Sequence, residues 1–118
     1  MTREYLTESY SFSPKDGWKR IADVPRPVLI APALAFNPEH IFIFGGDDGK
    51  FFHLTWELKD KYPRFRHDIL SYHPITDTWT TVGNLPESYV ATVAVPLDGK
   101  IVIAGGEDRP GHRSQKVF

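Results

Sequence analysis

The chain has 118 residues, 41% hydrophobic and 25% charged, enough apolar material for one folded domain and too much for a disordered segment. Fourteen Lys and Arg against fifteen Asp and Glu leave a net charge of −1, with no basic surplus for nucleic acid and no polybasic stretch for a membrane surface. Cysteine is absent, which excludes disulfides, zinc-thiolate sites and thiol catalysis.

Ten prolines and nine glycines punctuate the chain, and the segments between them read as short strands. The N-terminal MTREYLTESY has no signal-peptide core, and no apolar run reaches the length of a membrane span. The first predicted strand is Ser9–Ser13. A Pro-containing turn, SPKDG, leads to Trp18–Ile21. Two further strands follow at Ile30–Phe36 and His40–Phe44, joined by the turn initiator Asn37-Pro38. The strand IFIF ends in Gly45-Gly46. A long segment, about 47–67, then carries the one window for a helical turn, Trp56–Lys61, closed by Pro63.

The strand pattern then returns as Asp68–His73, Thr78–Val82, Tyr89–Val95 and Lys100–Ala104. The last two are joined by Asp98-Gly99, a strong hairpin signal. IVIAGGEDR repeats IFIFGGDDG, and SYHPITDTW repeats SFSPKDGW. Pro14 and Pro74, and Gly45 and Gly105, stand 60 apart; Trp18 and Trp79, and Pro25 and Pro86, stand 61 apart. A strand ending in a Gly pair permits close backbone approach and positive φ. Each Trp is a plate suited to packing between neighbouring sheets.

A double Gly followed by an aromatic and then a Trp, here Gly46, Tyr72 and Trp79, resembles the kelch repeat. The resemblance implies an all-β fold, a kelch-type β-propeller with about two four-stranded blades in residues 1–118. Kelch repeats usually run about 50 residues, so the surplus is assigned to an insertion loop at about 47–67. Two blades do not close a ring. The rest comes either from a longer parent chain or from identical chains joined head to tail, a homotrimer giving six blades. The final Lys116-Val117-Phe118 reads as the start of the next strand.

The segment GGEDRPGHR holds the best chemical candidates. Pro110-Gly111 can fold the chain back and bring Glu107 and Arg113 to one mouth of the propeller. The first repeat has Asp47 in place of Glu107 and lacks the Pro-Gly and the Arg, so the loops have diverged. Gly106, Glu107, Pro110, Gly111, Arg113, Ser114, Val117 and Phe118 together resemble the N-acetylneuraminate epimerases, or sialate mutarotases, of the cyclically permuted mutarotase group. That resemblance implies interconversion of sialic acid anomers, with Glu107 as proton acceptor and Arg113 as its partner. It also implies a periplasmic or secreted setting and no cofactor. Arg66, His67 and Asp47 are secondary candidates for binding the sugar. Phe51, Phe52 and Trp56 suit either a sugar face or a small core within the insertion. His53 and His67 lack metal-ligand spacing, so no metal is expected. The rival reading is a non-catalytic kelch module that presents loops to a protein or glycan.

Overall fold

The fold is taken from a computed structural model that describes residues 4–118, so the first three residues of the predicted two-blade span lie outside the described residues. Ten short strands run in chain order: β1 (Ser9–Ser13), β2 (Gly17–Ile21), β3 (Ala33–Asn37), β4 (His40–Gly46), β5 (Arg66–His73), β6 (Thr78–Asn84), β7 (Ala94–Leu97), β8 (Lys100–Ile103), β9 (Glu107–Arg109) and β10 (His112–Arg113). β3-β4-β5-β6 form one complete antiparallel blade. β1-β2 and β7-β8 are two-stranded halves on either side of it, and β9-β10 is a small separate hairpin. The eight strands of the repeat are two blades' worth of sheet, divided as half, whole and half. The repeat begins midway through a blade, so the halves are the outer and inner pairs of different blades.

The insertion folds into three short turns: a 3₁₀ turn at Phe52–Leu54, the α-helical turn α1 at Thr55–Leu58 and a second 3₁₀ turn at Lys59–Lys61. The predicted helical window therefore holds, and it extends four residues further toward the N-terminus.

Two predicted strands start later than their apolar patterns suggest. Ile30–Phe36 narrows to β3, and Tyr89–Val95 becomes β7. The cause is local backbone. Ile30 and Ala91 occupy equivalent places in the two repeats and both have positive φ, 54° and 55°, so the chain kinks there before the strand begins. The residue just before each kink makes an isolated antiparallel bridge, Leu29 to Asp47 and Val90 to Glu107.

Close backbone approach explains one glycine of each pair. A Cβ on Gly45 would lie 2.6 Å from the carbonyl oxygen of Arg66 and 2.8 Å from that of Tyr89. A Cβ on Gly106 would lie 2.8 Å from the carbonyl oxygen of Val90. Both glycines also have positive φ. Gly45→Ala is therefore expected to destabilise the fold by at least ~2 kcal/mol, from clash and backbone strain together. Chemical denaturation would read this, and a loss near zero would show that the backbone can move aside.

The main core lies between the complete blade and β7-β8, where Phe44, Leu85, Tyr89 and Ile103 are buried and Phe118 packs against them. A second cluster, Tyr62, Phe65 and Val90, ties the insertion to the next blade, and Phe51 and Leu58 pack against it. The Phe65 N–H donates to the carbonyl of Asp108, fixing the end of the insertion against β9.

One nearly buried ion pair spans the sheet. Arg26 donates to both carboxylate oxygens of Asp68, at 2.7 and 3.1 Å, and to the Gly45 carbonyl at 2.7 Å. Burial by itself would raise the Asp68 pKa, but hydrogen bonds from Arg26 and Arg66 outweigh it and hold the carboxyl below its usual value. A carboxyl lowered in the folded state adds stability above the ordinary aspartate value of about 3.9, and that stability fades as pH falls through the lowered value. The stability gap between the parent chain and Arg26→Ala should accordingly narrow on acidification from about pH 6 to about pH 2. A gap independent of pH, read by denaturation at each pH, would contradict this.

Candidate functional site

Glu107 is placed by backbone before its side chain matters. Its N–H donates to the Val90 carbonyl at 3.1 Å and its carbonyl accepts from the Val90 N–H at 2.9 Å. This anchors the start of β9 at the end of the blade that carries the Gly pair. Pro110-Gly111 then reverses the chain, with Gly111 at φ 75°. β10 returns with Arg113 opposite Glu107, after an irregularity in the register at His112. The Arg113 Nε lies 3.5 Å from a Glu107 carboxylate oxygen. Glu107 is three-quarters buried and the Arg113 side chain is almost wholly exposed. An exposed guanidinium of this kind can meet a planar anion bidentately.

A cavity of about 930 Å³ opens beside Glu107, within the size range of small-molecule sites. Its wall comes from the insertion (Phe52, Trp56, Tyr62), from the two kinked segments (Ile30, Ala91) and from Glu107 itself. Trp56 is 84% exposed at its edge, an aromatic surface that the fold leaves open. The two repeats therefore meet here through equivalent parts: both positive-φ residues and both acidic residues, Asp47 and Glu107, line one space.

The two acids differ in what holds them. Asp47 is buried. One of its carboxylate oxygens accepts from the Gly49 N–H at 3.0 Å and the other from the Tyr62 hydroxyl at 2.7 Å. Burial, and then this bond, push the Tyr62 hydroxyl pKa well up. Asp47 thus organises the insertion. Glu107 has the Arg113 contact and an open side toward the cavity.

Of the other sequence-predicted residues, Arg66 is half-exposed and paired with Asp48 at 3.6 Å and Asp68 at 3.4 Å. His67 has an exposed side chain, and its carbonyl accepts from the Leu85 N–H. Arg66, His67 and Arg113 do not form the cavity wall; Asp47 and Glu107 do. Sequence reasoning passed over Asp108 and His112, which flank the Pro-Gly turn. His112 Nδ1 lies 2.5 Å from the nearly buried Asp108 carboxylate. Their spacing, four residues across a tight turn, was the available signal. No group of three or more His, Asp or Glu side chains among the described residues could hold a metal, and no described helix is long and apolar enough to cross a membrane.

No family model matches the sequence. Among known proteins, the chain is similar to the N-acetylneuraminate epimerase of Haemophilus influenzae (strain 86-028NP), 25% identical over 137 residues, covering 97% of this chain and 36% of that protein. It is also similar to Kelch-like protein 38 of Rattus norvegicus, 32% identical over 95 residues, covering 80% of this chain and 14% of that protein. The solved structure of YjhT superposes with a TM-score of 0.67 at 19% identity, over 87% of this chain and 29% of that one. The chain thus spans about a third of the length of the epimerase it matches, and less of the kelch-like protein.

Proposed function

Because this is a chain of kelch-type β-propeller blades related to the N-acetylneuraminate epimerases, we propose that it serves a sugar mutarotase that interconverts the anomers of N-acetylneuraminate. The observation that carries the reading is the Glu107–Arg113 pair, brought together across Pro110-Gly111 at the edge of a cavity large enough for a sugar.

Mutarotation needs little machinery. The Glu107 carboxylate takes the proton of the anomeric hydroxyl, the bond from the anomeric carbon to the ring oxygen breaks, and a carbonyl forms. The ring oxygen takes a proton from water. The open-chain ketone rotates and the hydroxyl closes on its other face. Glu107 returns its proton to the new anomeric oxygen, and the released ring proton goes back to water, so atoms and charge balance. The exposed Arg113 guanidinium, beside Glu107 and just outside the cavity wall, meets the sugar carboxylate and keeps the reacting carbon near Glu107. Trp56 offers a flat apolar face to the ring at the cavity edge.

The test is direct. One anomer of N-acetylneuraminate is added and its conversion followed by proton NMR against buffer alone. The reading requires conversion faster than the buffer rate. A rate equal to buffer would leave the rival reading, a kelch module that presents its loops to a protein or glycan.

A further inference from the structure

The β9-β10 hairpin carries one residue too many on its first strand. Pro110-Gly111 is a two-residue turn, and Arg109 pairs with His112 across it. A regular antiparallel ladder would next set Arg113 opposite Asp108. The observed partner is Glu107, so Asp108 is left over as a β-bulge. The shifted register continues past this pair, because the Ser114 N–H donates to the Gly106 carbonyl at 2.8 Å. Register therefore decides which of two adjacent acids receives Arg113.

The two acids compete on unequal terms. The Asp108 side chain is 7% exposed and that of Glu107 is 25% exposed. A carboxylate so buried is costly to leave without a partner, so Asp108 is the stronger attractor for a cation. It is already occupied. His112 Nδ1 lies 2.5 Å from its Oδ1, and the ring nitrogen is the donor, since a carboxylate only accepts. No other hydrogen bond reaches this carboxylate among the described residues. The backbone of Asp108 is held as well, by the Phe65 N–H that donates to its carbonyl at 3.1 Å.

We propose that Asp108 and His112 are a positioning pair. By occupying the buried carboxylate, His112 keeps the bulge in place and leaves Arg113 to Glu107. His112 is not part of the cavity wall, and it acts through Arg113. Without the imidazole, Arg113 moves one register step to satisfy Asp108, and Glu107 loses the guanidinium beside it. The register rests on the hairpin alone; its consequence for a sugar carboxylate rests on the proposed mutarotase function.

Backbone NMR reads the register without any sugar. In the parent chain, cross-strand NOEs join Arg113 to Glu107. In His112→Ala they are expected to be lost and replaced by NOEs from Arg113 to Asp108. The His112 side chain is 57% exposed, so this change empties no core site. His112→Asn places an amide N–H where Nδ1 stood and should keep the parental pattern. Adding Asp108→Asn to His112→Ala removes the rival charge and should restore it. Parental NOEs in His112→Ala overturn the inference. So does a loss that Asp108→Asn does not reverse, which would make His112 a mere brace of the turn.

Anomer exchange supplies the second readout. His112→Ala should raise KM several-fold while lowering kcat less, and His112→Asn should leave both near the parent values. An unchanged KM in a chain whose register has moved overturns the positioning role. The two readings fail separately. A parent chain no faster than buffer defeats the mutarotase reading and leaves the register to the NOEs, whereas a register that does not move defeats only this inference.

Discussion

Glu107→Gln is expected to slow anomer exchange of N-acetylneuraminate by about 10²–10⁴-fold, the usual contribution of a general base. The substitution keeps the shape of the side chain and its place against Val90, which is fixed by backbone bonds. It removes only the proton acceptor. Arg113→Lys keeps the charge and loses the planar fork, so it should raise KM more than it lowers kcat. The NMR assay separates the two roles. A Gln variant as fast as the parent would show that Glu107 only steadies the hairpin through its ion pair, an exposed contact worth ~0–1 kcal/mol. An unfolded Gln variant would instead show that the carboxylate is structural.

Trp79→Ala is expected to cost about 3 kcal/mol, the lower end for emptying an aromatic site, because the ring is half-buried rather than enclosed. Three things are lost together: the stacking on Tyr72 at 4.9 Å, the bond to the Ala22 carbonyl, and the cover over β1-β2. Burial, and then the bond to Asp77, push the Tyr72 hydroxyl up to about 12. That bond remains in the variant but loses its shelter. Trp18→Ala removes the same residue type from the same repeat position, yet Trp18 is 73% exposed and should cost under ~1 kcal/mol in the isolated chain. Paired denaturation curves read the contrast. Equal costs would mean that Trp79 contributes nothing through its neighbour.

The contrast between the two tryptophans shows where sequence reasoning stops. Repetition carries composition and order: the Gly pairs, the Pro turns, each Trp and the hairpin at Asp98-Gly99 are all local chemistry, and local chemistry sets strand, turn and strand again. It also carries the Glu107–Arg113 approach, because a Pro-Gly turn four residues wide leaves the chain little choice but to return. Strand starts were out of reach. Ile30 and Ala91 are apolar residues in apolar runs, and only the bridges from Leu29 and Val90 to the following acidic residues force them to positive φ. Asp47 and Glu107 occupy equivalent positions, and the sequence makes them look alike. The insertion folds back so that Tyr62 and Gly49 take up the Asp47 carboxylate, while Glu107 keeps a side open to the cavity. What the sequence determined by itself was the repeat and its hairpins, which depend on neighbours a few residues away. What only the tertiary structure decided was which acid is consumed and which is available, and which Trp is covered. Those answers depend on hydrogen-bond partners and blades brought together from distant parts of the chain.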